Sequence, residues 1–137
     1  MSRVLAIDVG KKRVGLARTD LLKTVASPFG TYDPEGAIAE VARQIESEQV
    51  DTVVVGWPLE KDDSEGRAVK MVNDFLKKLH KKIPSEIPVI KIDERYTSVD
   101  AVDTLIRAGV PKTKRREKAR VDRVAAALIL EEYLNRL

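Results

Sequence analysis

The N-terminal segment Val4–Thr19 constrains the fold of this chain more than any other stretch. It opens with an apolar run that carries a single carboxylate, Asp8, and it turns sharply at Gly10 before a second apolar run. Because side chains alternate along a strand, Asp8 shares one face with Val4 and Ala6. An ionised carboxylate among apolar neighbours is costly unless a cation compensates its charge. The segment therefore predicts a β-hairpin in which Asp8 faces either a divalent metal ion or a basic residue of the turn.

Length and composition narrow the class of protein. A chain of 137 residues is predicted to form one domain, residues 1–137, because domains typically contain about 100–150 residues. The chain has no cysteine, which excludes disulfides and thiolate metal sites and fits a reducing compartment. The longest apolar run, Val124–Leu130, is far too short to cross a bilayer, and the N-terminus lacks the layout of a signal peptide. We therefore expect a cytoplasmic protein that does not engage a membrane.

The basic residues are clustered along the chain. The net charge is +3 and the isoelectric point is near 9.2, which is compatible with a nucleic-acid partner but also with an ordinary surface. The cluster Lys77–Lys82 suits the C-terminal end of a helix electrostatically and needs no ligand, and His80 within it is predicted to be exposed and not catalytic. The basic segment Pro111–Arg120 precedes the last predicted helix, where it is either a solvated surface or a contact for phosphates.

Strands and helices alternate after an antiparallel start. Short connections predict a meander of three strands, the third at Lys23–Pro28, and Asp33 followed by Pro34 has the layout of a helix start. The remaining elements are predicted as a strand at Asp51–Pro58, a helix with Ala68, Val72, Phe75 and Leu79 on one face, a strand at Val89–Glu94, a helix capped by Thr97 or Ser98, and a final helix from about Glu117 to Arg136. This order predicts an α/β fold with a mixed sheet flanked by helices.

Three carboxylates stand out by their positions. Asp8 ends the first strand, Glu94 ends the last strand, and Asp122 lies at the head of the apolar stripe of the final helix. In open α/β sheets, functional crevices lie at the carboxyl ends of the parallel strands. Crowded carboxylates repel one another unless cations neutralise them, and ligand sets made only of oxygen select Mg²⁺ or Mn²⁺. Asp93 is an alternative to Glu94, because the two point to opposite faces and the sequence does not decide between them.

Four motifs, in order and spanning essentially the whole chain, lie at Ile7–Gly15, Val55–Leu59, Asp93–Ser98 and Lys118–Ile129. Together they resemble the YqgF-type Holliday junction resolvases and pre-16S rRNA nucleases of the ribonuclease H-like superfamily. The resemblance implies a five-stranded mixed sheet of strand order 3-2-1-4-5 flanked by helices. Trp57 occupies a position at which the family usually has leucine, and it is expected either to pack on the core or to stack on a base.

The same resemblance implies an activity and the residues that perform it. Asp8, Glu94 and Asp122 are expected to be the catalytic metal ligands, with Mg²⁺ or Mn²⁺ as cofactor. A pair of such ions about 3.5–4 Å apart can clamp a phosphodiester during hydrolysis. The expected contacts to substrate are Arg13, Arg95 and Thr97 from the motifs, joined by Lys114, Arg115 and Arg116 from the basic segment.

The leading hypothesis is thus a metal-dependent endonuclease that acts on structured RNA or branched DNA, in 5′-end maturation of pre-16S rRNA, in Holliday junction resolution, or in both. The alternative is a non-catalytic nucleic-acid-binding or transcription accessory module with vestigial carboxylates, which would bind without cleavage. A phosphotransferase of the actin and sugar-kinase type begins with a similar hairpin, but it needs two lobes and this chain is too short. Either a monomer or a homodimer is compatible with the sequence.

Overall fold

The computed structural model describes residues 2–47, 49–58, 66–93 and 118–136. The described part of the chain contains one sheet with strand order β3-β2-β1-β4-β5, which confirms the predicted order. β1 pairs antiparallel with β2 and parallel with β4, and β5 is parallel to β4. The strands are β1 (Arg3–Val9), β2 (Val14–Thr19), β3 (Ala26–Tyr32), β4 (Val50–Trp57) and β5 (Val89–Asp93), and the described helices are α1 (Pro34–Glu46), α2 (Arg67–His80) and α3 (Lys118–Asn135).

The two faces of the sheet are covered by different helices. On β1, Leu5 and Ile7 belong to a core shared with α1 and α2, whereas Val4 and Ala6 belong to a second core shared with α3. The period-two pattern of the sequence thus sorts the side chains between two cores. The central strand β4 is apolar on both faces for the same reason, and its consecutive residues Val53–Val55 are fully buried.

The third strand begins later than the sequence predicted. The expected strand was Lys23–Pro28, but β3 starts at Ala26 and ends at Tyr32. The preceding residues form a turn instead, because the Asp20 carboxylate accepts hydrogen bonds from the backbone N–H groups of Thr24 and Val25, at 2.7 and 2.8 Å.

Pro28 lies inside β3 and is accommodated by an irregularity in the ladder. Leu16 pairs with Gly30 and Ala17 pairs with Pro28, so Phe29 is an extra residue on β3. Proline has no N–H group to donate to a ladder and is tolerated at such bulges and in outer strands. β3 is the outermost described strand on its side of the sheet, which is a position where proline is tolerated.

The Asp20 turn predicts a dependence of stability on pH. The Thr24 hydroxyl and the backbone N–H of Val25 donate to the Asp20 carboxylate and hold its pKa well below the ordinary value. A lowered pKa stabilises the fold above the unfolded-state pKa of about 4, and this contribution is lost as the pH falls toward the folded-state pKa. We expect Asp20→Asn to lower the thermal midpoint at pH 7, and the difference from the parent to shrink steadily below about pH 4. A difference that grows on acidification would contradict this role.

The first helix begins where the sequence predicted. The Asp33 carboxylate caps α1 by accepting from the Gly36 N–H at 3.2 Å, and this bond satisfies a backbone donor that has no partner within the helix. In α2, Val72, Phe75 and Leu79 are buried. His80 ends α2 and is exposed, as predicted. The predicted helix that starts at Thr97 or Ser98 lies outside the described residues.

Trp57 packs on the core that lies under α1 and α2. The Lys91 ammonium lies 3.9 Å from the centroid of the Trp57 ring, within the range of a cation–π interaction. The packing interpretation of Trp57 therefore agrees with the structure, and Lys91 occupies one face of the ring. Among the described residues, no helix is long and apolar enough to span a bilayer.

Candidate active site at the end of the first strand

Asp8 lies near the carboxyl end of β1 and is half-buried. It continues the face of β1 that carries Val4 and Ala6, which is the face covered by α3. Its partner on β2 is Gly15. On the other side, Ile7 pairs with Val55, so the next position along β4 is Gly56. Asp8 is therefore flanked by a glycine on both neighbouring strands.

Gly15 and Gly56 place no side chain beside Asp8 on the two neighbouring strands. Glycine inside a strand weakens the strand and often marks a place where a ligand or another part of the chain approaches closely. The role of Gly15 was not predicted from the sequence. The position of Gly15 could have been read from the sequence, because a tight hairpin that turns after Gly10 brings Gly15 opposite Asp8.

The turn between β1 and β2 places basic side chains beyond Asp8. The Gly10 N–H donates to the Arg13 carbonyl at 2.8 Å. A Cβ atom on residue 10 would lie only 2.5 Å from that same carbonyl oxygen, so the turn requires glycine at this position. The turn exposes Lys11, Lys12 and Arg13 to solvent. Arg13, a predicted substrate contact, thus lies at the same end of the sheet as Asp8.

The final helix begins near the same end of the sheet as Asp8 and runs away from it. Its C-terminal residues Leu134 and Asn135 line a cavity together with Thr24 and Val25, in the turn that follows β2. That turn lies at the end of the sheet where β1 begins, because β1 and β2 are antiparallel. The N-terminal end of α3 is therefore directed toward the end of the sheet where β1 ends.

Asp122 belongs to the first turns of α3, four residues before the fully buried Ala126. Four helical residues span about 6 Å along the axis, so the backbone of Asp122 lies about one turn further than Ala126 toward the Asp8 end of the sheet. The Asp122 side chain is outside the described part of the structure.

Asp93 lies on the face of the sheet opposite Asp8. Ile90 and Ile92 contact the core under α3, whereas Val89 contacts the core under α1 and α2. Alternation along β5 assigns Asp93 to the same face as Val89, and Asp93 pairs with Trp57 in the sheet. The sequence did not decide between Asp93 and Glu94. Asp93 lies on the face of the sheet away from Asp8, so it does not belong to a site around Asp8.

The six other predicted site residues lie outside the described part of the chain: Glu94, Arg95, Thr97, Lys114, Arg115 and Arg116. Within residues 2–47, 49–58, 66–93 and 118–136, no three acidic, histidine or cysteine side chains form a group that could hold a metal ion. Asp8 is the member of the predicted acidic set whose side chain is described, and its carboxylate oxygens are of the type that hard divalent cations prefer.

The strand order and directions, with a carboxylate at the end of the first strand, define a ribonuclease H-like domain. The fold is similar to the Thermus thermophilus RuvC structure, with a TM-score of 0.55 at 13% identity over 98% of this chain and 95% of that one. It is equally similar to T. thermophilus RuvC in complex with Holliday junction substrate, with a TM-score of 0.54 at 15% identity over 99% of this chain and 96% of the other. At these identities the likeness concerns the fold.

The sequence identifies the family within this class. A family model described as "RuvX: Holliday junction resolvase" matches residues 2–136, and the chain belongs to this family. Relatives named "Putative pre-16S rRNA nuclease" include those of Phocaeicola vulgatus, 40% identical over 98% of this chain and 96% of the relative, and Christiangramia forsetii, 41% identical over 98% of both. The relative from Salinibacter ruber is 41% identical over 98% of this chain and 94% of its own length. The predicted family, fold and class of enzyme, an endonuclease, are confirmed.

Proposed function

We propose that this chain is a divalent-metal-dependent endonuclease that hydrolyses phosphodiester bonds in structured nucleic acid. The observation that carries the proposal is the half-buried Asp8 at the carboxyl end of β1, between Gly15 and the position of Gly56. The names of the relatives favour the precursor of 16S rRNA as substrate, and the family description adds the Holliday junction.

Asp8, Glu94 and Asp122 are the proposed metal ligands. Carboxylate oxygens are ligands that Mg²⁺ prefers, and carboxylates crowded at one place repel one another unless cations neutralise them. Glu94 is proposed in preference to Asp93, because Asp93 lies on the face away from Asp8. A bound Mg²⁺ or Mn²⁺ would polarise the phosphoryl oxygen and lower the pKa of water, so that hydroxide forms near neutral pH.

The chain itself holds and orients the substrate. Gly15 and Gly56 leave room for a phosphodiester to approach the Asp8 carboxylate. Arg13, together with Arg95, Thr97 and the basic residues Lys114, Arg115 and Arg116, is proposed to contact phosphates and position the backbone without reading base sequence. Attack by water on phosphorus with departure of the 3′ oxygen breaks the P–O3′ bond, and the products carry a 5′-phosphate and a 3′-hydroxyl.

Metal removal tests this proposal. We expect the purified protein to cleave a 16S rRNA precursor with its 5′ extension, a four-way DNA junction, or both, in the presence of Mg²⁺ or Mn²⁺. An excess of chelator should abolish cleavage and renewed Mg²⁺ should restore it, because the carboxylates alone supply no electrophile. End-labelled products resolved on a denaturing gel give the cleavage position and the terminal phosphate.

Two results would contradict the proposal. Cleavage that persists in chelator would remove the role of the metal. Tight binding of both substrates without cleavage under any divalent cation would favour the non-catalytic nucleic-acid-binding module. If the protein cleaves only with a divalent metal ion, its relative rates on the RNA precursor and on the junction identify the preferred substrate.

A further inference from the structure

A groove separates α1 and α2 on the face of the sheet opposite Asp8. It consists of two adjoining cavities of about 350 and 540 Å³ that share Glu35, Ile38 and Lys78 in their walls. The smaller cavity reaches Val9 and Gly10 at the end of β1. The groove therefore starts at the same edge of the sheet as the candidate active site and continues along α2.

The walls of the groove carry an excess of positive charge. Its only described acidic residues are Glu35 and Asp74, and its floor includes the apolar side chains Ile38 and Met71. The basic residues that line it are Lys11, Arg67, Lys70, Lys78, Lys81 and Lys82. Six basic residues against two acidic ones indicate an anionic ligand.

The helix dipole explains the basic residues at the C-terminal end of α2 but not those at its N-terminal end. Lysines in the last turn of α2 interact favourably with the negative end of the helix dipole. Arg67 and Lys70 lie in the first turn, where a cation is unfavourable and where α2 has no acidic residue. Among the described residues, no side chain caps the helix at Gly66. A phosphate at this end would accept from backbone N–H groups of the first turn and neutralise the two basic side chains.

We propose that the groove binds the sugar-phosphate backbone of a single strand that leaves the candidate active site around the Gly10 turn. This inference rests on the proposed nuclease function and adds the path of the nucleic acid. The basic residues follow α2, whose 14 residues extend about 21 Å. The two cavities of about 350 and 540 Å³ are concave, so the groove suits a single strand, while a duplex carries its phosphates on a convex surface.

Charge reversal on two adjacent lysines tests the path. Lys78 lines both cavities, whereas Lys77 is exposed on the same helix outside the groove. Lys77→Glu and Lys78→Glu change the net charge and the helix dipole interaction equally. Fluorescence anisotropy with a labelled single-stranded 20-mer, in chelator to prevent cleavage, should show on the order of fivefold weaker binding for Lys78→Glu and a salt slope reduced by about 0.7. Lys77→Glu should bind within about twofold of the parent.

Site-directed labelling locates the contact independently of charge. The chain has no cysteine, so an introduced cysteine is the single thiol. Ala39 is an exposed residue in the wall of the larger cavity, and Ser27 is exposed on the distant strand β3. A saturating oligonucleotide should slow maleimide labelling of Ala39→Cys several-fold and leave labelling of Ser27→Cys unchanged.

The outcomes separate this proposal from the proposed function. Equal weakening by Lys77→Glu and Lys78→Glu, or no protection of Ala39→Cys, would overturn the groove as the path even if the parent cleaves nucleic acid. Discrimination between the two lysines with a duplex but not with the single strand would overturn the choice of ligand. A parent that binds no nucleic acid would overturn the proposed function as well as the path.

Discussion

Asp8→Asn is expected to lower the rate of phosphodiester cleavage by at least about 100-fold, since changing even outer-shell partners of metal ligands costs about 10- to 100-fold. Asparagine keeps the size and shape of the side chain but loses the negative charge that would hold a hard cation. Because Asp8 is half-buried at the end of β1, the neutral side chain should not lower the thermal midpoint.

The loss of activity is measured as the single-turnover cleavage rate in Mg²⁺ on the substrate that the parent protein cleaves. Asp33→Asn is the matched control, since it makes the same chemical change at the exposed cap of α1 and asparagine caps helices about as well as aspartate. The control should cleave at the parent rate. If Asp8→Asn cleaves as fast as the control, Asp8 is not a metal ligand and the proposed site is wrong.

Glu94→Gln is expected to have an effect as large as that of Asp8→Asn, whereas Asp93→Asn should change the rate by less than about threefold. The two residues are adjacent in the sequence, but Asp93 lies on the face of β5 that carries Val89, away from Asp8. Removing its charge therefore leaves the proposed ligand set intact. Glu94→Gln is expected to cleave much more slowly than Asp93→Asn, because only Glu94→Gln removes a proposed metal ligand.

The same single-turnover assay, with binding measured in chelator, separates the two variants. Glu94→Gln should retain affinity for the substrate while losing cleavage, because the basic contacts remain. A large loss of cleavage in Asp93→Asn with a normal rate in Glu94→Gln would reverse the assignment of the ligand on β5.

Much of the fold is encoded locally and could be predicted from the sequence. Alternation along β1 sorts Leu5 and Ala6 between two cores, and the continuous apolar run of β4 requires cover on both faces. The start of α1 at Asp33 follows from a cap and a proline. These features depend on neighbours within a few residues, which is why periodicity and capping reveal them.

Features that depend on which of several hydrogen-bond patterns forms, or on packing between elements, were not predicted. The start of β3 is set by hydrogen bonds from the Thr24–Val25 backbone to Asp20, which compete with the ladder. The position of Gly15 beside Asp8 depends on hairpin register. Lys78 has the same helix-terminal explanation as Lys77, and only the packing of α1 against α2 distinguishes the one that lines a groove.

The site itself was predicted from topology and not from local pattern. The predicted acids are far apart along the chain. They were predicted to meet because the carboxyl ends of parallel strands lie at one edge of a sheet. The structure gives the surroundings of Asp8 and the direction of α3, and it assigns Asp93 to the opposite face. A cation shared by Asp8, Glu94 and Asp122 is still a proposal. It requires the side chains of Glu94 and Asp122, which lie outside the described part of the structure, to meet Asp8 at one place.

A crystal of the protein soaked in Mn²⁺, with the anomalous signal of manganese recorded, tests that proposal most directly. We predict manganese bound by carboxylate oxygens of Asp8, Glu94 and Asp122. Manganese bound elsewhere, or a structure in which these three carboxylates point to separate surfaces, would contradict it.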